Sequence, residues 1–150
     1  MYISNSEISK LFFKVIPNSM SVVRAHIKKA SEPDFSFAKF RVLANVNRGI
    51  RTVSEIAELH GVSQPAISKL VDCLVNEDFL SRHTHLADRR ISDLKLTAKG
   101  KKQLQKMRSS ASKTFEPSLC LLSNKEQTEL KQALNCLESF FIKIQGEKFE

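Results

Sequence analysis

Apolar positions between residues 52 and 80 recur at the three- and four-residue spacing that is typical of helices. Thr52 followed three residues later by Glu55 forms a capping box, so we expect a first helix to begin near Val53. Gly61 can adopt the left-handed backbone conformation that ends a helix in a sharp turn. The pattern therefore predicts a short helix followed by a tight turn.

A second helix is predicted to begin directly after this turn. Ser63 is a suitable N-cap, the helix would start at Gln64, and Pro65 is tolerated in a first turn because its missing N–H would have no partner there. One side carries four apolar residues that we expect to face inward, with Asp78 beside them: Ile67, Leu70, Val71 and Leu74. The opposite side projects a set that could enter a major groove: Pro65, Ser68, Lys69 and Asp72.

After Leu80 the spacing changes to the two-residue alternation of strands. The alternation covers residues 80–86 and 93–96, on either side of a polar tip at residues 87–90. We therefore expect a two-stranded wing next to the helix-turn-helix.

The N-terminal part is predicted to be helical. Ser4 and Glu7 form a second capping box ahead of an apolar face, and at Pro17 this helix must kink or restart before it continues to about Lys29.

Two further helices are expected to flank the predicted helix-turn-helix and wing. One is capped by Ser36 and ended by Gly49, and we expect it to pack under the helix-turn-helix. The other is long, capped by Thr97, and runs through Lys113.

Three runs of this sequence carry a family resemblance: IAELHGVSQPAISKLVDCLVNEDFL, ADRR and LKLTAKGKKQL. In them the chain resembles the multiple-antibiotic-resistance regulator (MarR) family of bacterial winged-helix transcription factors. The most specific parts are Asp88-x-Arg90 and Leu96-Thr97-x-Lys99-Gly100, and the similarity in length and helix order extends over all 150 residues, although the first 50 match only loosely. The resemblance implies an obligate dimer on a palindromic site, a wing arginine in the minor groove, and a small-molecule pocket between the dimer arms and the DNA-binding lobes.

The expected fold is mainly α with a small β wing (α+β), in one domain spanning residues 1–150. We expect a winged helix-turn-helix lobe at residues 35–99, and N- and C-terminal dimerisation helices at 1–34 and 100–150. Ser123 and Glu126 form a third capping box, and the helix after it carries an apolar stripe that a second chain could bury: Leu130, Leu134, Leu137, Phe141 and Ile144. The alternative is that the terminal helices pack on each other within a monomer.

Charge is concentrated where the wing is predicted. The chain has a formal net charge of +8, and residues 82–108 hold nine Lys or Arg against two Asp, a net +7. Residues 52–81 sum to −4. A positive segment next to a helix-turn-helix indicates a surface that neutralises DNA phosphates, although most charge runs are only solvated faces.

The predicted DNA-binding residues lie on the second helix and the wing tip: Ser63, Gln64, Pro65, Ser68, Lys69, Asp88, Arg89 and Arg90. Gln64 could pair with adenine, and Lys69 could reach a guanine or a phosphate. Asp88 could hold the guanidinium of Arg90 for the minor groove, where the alternative is a plain salt bridge in the turn. Asp72 and Glu77 would oppose DNA.

Other chemistry is poorly represented in the sequence. Three distant cysteines without a Cys-x-x-Cys spacing argue against disulfides and zinc, and redox sensing by one of them stays open. His83 and His85 would point the same way on a strand, but phosphate contact or exposure is favoured over metal binding. We expect no cofactor, no metal, no membrane span and no enzymatic activity, and a cytoplasmic protein.

The predicted function is DNA-binding transcriptional regulation, with double-stranded DNA, a second copy of the chain and a small-molecule effector as partners. The alternative is a winged-helix protein-interaction module without sequence-specific DNA binding, which would not need the positive tip with Arg89 and Arg90.

Overall fold

The computed structural model describes residues 4–31, 33, 35–84 and 92–147, without the side chains of residues 84, 92 and 145–147. Within these residues the elements follow the predicted order: α1 (Asn5–Ala30), α2 (Phe37–Asn47), α3 (Val53–His60), α4 (Gln64–Asn76), β1 (Leu80–Thr84), β2 (Ser92–Leu96), α5 (Ala98–Leu119) and α6 (Asn124–Glu147). The predicted fold class, mainly α with a two-stranded β wing, is confirmed.

The chain divides into two compact units, residues 1–114 and 115–150. The first contains the buried core, whose central side chains come from α2, α3 and α4 and from both strands: Val42, Leu43, Ile56, Val71, Leu74, Leu80 and Leu94. In the second, residues 124–144 of α6 include no buried side chain.

Helix α1 differs from the prediction at Pro17. The capping box is present, since the Ser4 backbone N–H donates to Glu7 Oε2 at 3.0 Å. The helix nevertheless runs without interruption through Pro17 to Ala30. The side chains of Asn18 and Ser19 donate to carbonyl oxygens one turn earlier, at 3.3 Å and 3.0 Å, a type of bond that often bends a helix. Of the two expectations for Pro17, the restart is wrong, and the kink stays a prediction.

The helix-turn-helix forms where it was predicted. Gly61 ends α3 in the left-handed conformation with φ 63°, and the Val62 N–H donates to the Ala57 carbonyl at 3.1 Å. Ala57 is buried, as a small residue at a helix crossing should be. Ser63 occupies the N-cap of α4, but its side chain makes no capping hydrogen bond, which corrects part of the expectation. Asp78 lies beyond the end of α4, with φ 60°, and not on its inner side.

The wing strands are antiparallel, with Leu80 opposite Leu96 and Arg82 opposite Leu94. Leu80 and Leu94 are buried, so this face of the ribbon packs on the core. The Leu94 N–H also donates to the carbonyl of Arg51, two residues before α3, at 2.8 Å, and this bond joins β2 to the start of α3. Residues 85 and 86, predicted as part of the first strand, and residues 87–90, predicted as the tip, lie outside the described residues.

Of the two C-terminal helices, α5 is longer than predicted. Helix α5 continues beyond Lys113 to Leu119 and includes Pro117. The capping box before α6 is present: the Ser123 N–H donates to Glu126 Oε2 at 2.8 Å. The Ser123 hydroxyl also donates to Glu126 Oε2, at 2.7 Å. The two hydrogen bonds lower the pKa of the Glu126 carboxyl, and the bond from the hydroxyl is the main cause.

Candidate nucleic-acid interface

One face of α4 is open to solvent. Gln64, Pro65, Lys69 and Asp72 are exposed and Ser68 is half-buried, while Ile67, Val71 and Leu74 on the other side are buried. The spacing of the exposed set places it on one side of the helix. The structure therefore brings the five predicted α4 residues, Ser63 included, to one end and one face of this helix.

The ribbon contacts this face through an ion pair. Arg82 on β1 reaches Asp72 on α4, with 2.8 Å between Nη2 and Oδ1. Asp88, Arg89 and Arg90, the three predicted wing residues, lie in the segment outside the described residues. Their role stays a prediction.

Glu77, the C-cap residue of α4, is also paired, which the sequence did not reveal. Lys39 Nζ on α2 lies 2.6 Å and 2.9 Å from the two carboxylate oxygens of Glu77. The Cys73 thiol donates to the same carboxylate at 3.3 Å. The hydrogen bond from Lys39 is the main reason that the pKa of Glu77 is lowered. Burial acts to lower the pKa of Lys39, but the hydrogen bond and charge of Glu77 raise it overall.

Both carboxylates are thus paired with a basic side chain, Asp72 with Arg82 and Glu77 with Lys39. That Asp72 and Glu77 oppose DNA stays a prediction. The partners could not be found from sequence spacing, because Lys39 lies 38 residues before Glu77 and Arg82 lies on the adjacent strand.

The Leu96-Thr97-x-Lys99-Gly100 segment supports the C-terminal end of α4. Thr97 Oγ1 donates to the Asp78 carbonyl at 2.6 Å and accepts the Gly100 N–H at 2.9 Å. Lys99 Nζ donates to the Glu77 carbonyl at 2.6 Å and lies 4.8 Å from the centre of the Phe79 ring.

Gly100 makes the closest approach in this segment. It is buried, and a Cβ built on it would overlap the carbonyl oxygen of Phe79. Only glycine fits against this carbonyl without a backbone shift. The segment thus has a mechanical role, since it fixes where α4 ends and where β1 begins.

A cavity of about 510 Å³ lies beside α4, within the first unit. Two guanidinium groups line it, Arg24 from α1 and Arg41 from α2, and α4 contributes Lys69 and Cys73. Arg24 lies over the Phe37 ring at 5.1 Å.

The cationic groups of this cavity affect one another. Burial, and then the charge of Arg24, lower the pKa of Arg41. Burial, and then the charge of Arg41, lower the pKa of His60, whose Nε2 lies 2.7 Å from the Asn45 amide nitrogen. That contact requires a neutral ring that accepts from Asn45. An anion in the cavity would relieve this repulsion.

The cysteine and histidine side chains considered from the sequence form no binding site among the described residues. Cys73 is half-buried, while Cys120 and Cys136 are exposed. His83 Nε2 lies 3.1 Å from Ser81 Oγ, and His85 is outside the described residues. In the described part of the chain we find no group of three or more His, Cys, Asp or Glu placed to hold a metal ion. Nor does any described helix have the length and apolar character to span a membrane.

Comparison with known proteins agrees with this geometry. The MarR family model matches residues 34–91. The fold is similar to that of the transcriptional regulator Tm0710 from Thermotoga maritima, with TM-score 0.68 and 20% identity over 89% of this chain and 96% of that one. A MarR transcriptional regulator from Methanosarcina mazei Go1 matches with TM-score 0.64 and 23% identity over 90% of this chain and 99% of that one.

A third similar structure contains DNA. It is a MepR mutant from S. aureus bound to an oligodeoxyribonucleotide, with TM-score 0.57 and 19% identity over 89% of this chain and 97% of that one. The fold and the open helix face define a winged helix-turn-helix protein with long terminal helices. With the family model, these findings confirm the predicted resemblance to the MarR family: residues 34–91 match its model, and the fold is that of winged-helix structures.

Proposed function

We propose that the protein is a transcriptional regulator that binds a palindromic operator as a homodimer. The observation that carries the proposal is the open face of α4, with Gln64 and Lys69 exposed beside a two-stranded wing. A helix in this position can enter the major groove while the ribbon follows the neighbouring backbone.

The residues divide by role. Gln64 pairs with a base, and Lys69 reaches a guanine or a phosphate, while Ser63, Pro65 and Ser68 line the same end of the helix. Asp88 orients Arg90 toward the minor groove, and Arg89 contacts phosphate. The net charge of +7 over residues 82–108 supports a large phosphate contribution.

The dimer is supported by apolar side chains that the single chain leaves exposed. On α1, Leu11 is 60% and Phe13 is 74% exposed, and on α6, Leu134 is 56% exposed. Faces of this kind mark surfaces that another protein covers. We assign residues 1–34 and 100–150 to the dimer arms and 35–99 to the DNA-binding lobe, and a two-fold axis then presents two α4 helices to one side of the duplex.

The cavity supports release by a small-molecule effector. It is lined by Arg24, Arg41 and residues of α4, so a bound organic anion would contact both cationic side chains and the recognition helix. An effector that binds the DNA-incompetent arrangement more tightly would lower operator affinity.

A salt-dependent mobility-shift assay tests the proposal against a winged-helix protein-interaction module. The full chain is titrated onto its own promoter region and onto a shuffled duplex of equal length. We expect tighter binding to the promoter, and weaker binding to both duplexes as salt rises. Failure to bind either duplex at low salt would support the protein-interaction module.

A further inference from the structure

The DNA-facing side of α4 carries a carboxylate, which is an unfavourable group to present to phosphates. Asp72 follows Ser68 and Lys69 by four and three residues, so it shares their side of the helix. Its side chain is 53% exposed. Without a partner this group would repel the duplex that Gln64 and Lys69 are proposed to contact.

The partner comes from the wing, in a geometry that the ribbon dictates. Arg82 lies opposite Leu94 and two residues after Leu80, on the ribbon face that packs on the core. Its side chain therefore leaves the ribbon toward α4, where Nη2 lies 2.8 Å from Asp72 Oδ1, and it retains 35% exposure. The guanidinium is thus held by Asp72 but remains within reach of solvent.

We propose that this ion pair sets the specificity of DNA binding: Asp72 occupies Arg82 and so limits sequence-independent attraction to phosphates, and Arg82 neutralises Asp72 so that α4 can approach the groove. The inference rests on the proposed function and deepens it. Arg82 acts as a positioning residue through Asp72, while base reading stays with Gln64 and Lys69. Together the pair contributes no net charge at the interface, which leaves base contacts a larger share of the binding free energy.

Charge substitutions separate this role from a merely structural one. Asp72→Asn removes the carboxylate and frees Arg82, so binding to random DNA should strengthen severalfold, on the order of ten-fold at low salt, with a salt slope steeper by about one. The preference for the promoter over random DNA should fall, because the affinity for random DNA increases by a larger factor than the affinity for the promoter. Arg82→Ala leaves Asp72 uncompensated, so both duplexes should bind more weakly, on the order of ten-fold. The double variant should return close to the wild type on random DNA.

The matched control is the exposed pair Lys125–Glu129 on α6, whose atoms lie 3.9 Å apart. Lys125→Ala, Glu129→Gln and their double variant change the net charge by the same amounts. We expect each to change DNA affinity by less than about two-fold, as is usual for a charge away from the interface. Equal effects in the two series would overturn the proposal, because net charge alone would then explain them.

The experiment measures fluorescence anisotropy of labelled promoter and shuffled duplexes with the full chain over a range of salt. If the pair only holds the wing in place, Asp72→Asn will weaken binding as Arg82→Ala does, and an unchanged or lower affinity of Asp72→Asn refutes the inference. Asp72→Asn removes no apolar contact, so its result stands even if Arg82→Ala unfolds. A wild-type chain that binds neither duplex refutes the proposed function and this inference with it.

Discussion

We propose Gln64 as a base-reading side chain because it is exposed at the first position of α4. Gln64→Ala should weaken binding to the promoter region by about 1 to 3 kcal/mol and binding to shuffled DNA much less, since a base contact is lost. Arg90→Ala is the matched variant, and it should weaken both duplexes, because a groove or phosphate contact carries less sequence information. Competition titrations give the promoter preference of each variant. Equal loss of preference in both would remove Gln64 from the base-reading set.

Glu77 gives a pH dependence that can be worked out from its lowered pKa. A carboxyl whose pKa is lower in the folded state stabilises the fold above its ordinary value of 4.5, and this contribution is lost as pH falls through the lowered value. Glu77→Gln should therefore destabilise the fold at neutral pH by about 1 kcal/mol, and the difference should vanish in acid. Urea unfolding at fixed protein concentration measures it. Glu129→Gln, at a looser and more exposed pair, should show little change at any pH.

At the level of single residues, the sequence predicted the features that depend on residues close together along the chain. Exposure of Gln64 and Lys69 and burial of Ile67 follow from helical spacing, which is local. The pairing of Glu77 with Lys39 depends on how α2 packs on α4, and that packing leaves no trace in spacing along the chain.

At the level of elements, the join between α4, β1 and α5 depends on a close backbone approach. Gly100 in α5 lies against the Phe79 carbonyl, and Thr97 and Lys99 hold the carbonyls of Asp78 and Glu77. The C-terminal end of α4 is thus fixed by α5, the helix that follows the wing.

Gly100→Ala should destabilise the fold by about 3 kcal/mol, because the added methyl group meets backbone that must move. Gly61→Ala is the control, since its Cβ would have open space and only the left-handed φ of 63° is strained, which costs about 1 kcal/mol. Thermal unfolding compares the two. A Gly100→Ala variant no less stable than Gly61→Ala would mean that the approach relaxes easily.

Element boundaries were predictable where caps fix them. The boxes at Ser4, Thr52 and Ser123 all form, because the capping residues lie only three positions apart. The errors at Pro17 and beyond Lys113 have the opposite origin: a proline interior to a long helix is tolerated when the rest of the helix holds it, and composition alone does not show this. The wing tip at Asp88 to Arg90 remains a prediction.

At the level of the whole molecule, the proposed dimer depends on the apolar side chains of α1 and α6. Deleting residues 123–150 should abolish the dimer or cause aggregation, because the stripe that includes Leu134 is lost and its counterpart is uncovered. Sedimentation distinguishes these outcomes from a soluble dimer, which would place the interface elsewhere. Two point substitutions test the same interface without a deletion. Leu134→Glu should weaken dimer association. Gln132→Glu, which adds the same charge on the same helix, should leave association unchanged.

The central claim is that two copies of α4, related by a two-fold axis, read one operator, and selection of binding sites from a random pool tests it most directly. We predict an inverted repeat with half-site centres one helical turn apart, about 10 to 10.5 base pairs, since both helices then meet successive major grooves on one side of the duplex. Selection with Gln64→Ala should recover a weaker motif of the same symmetry. A recovered motif without dyad symmetry, or no enriched motif at all, would contradict the account.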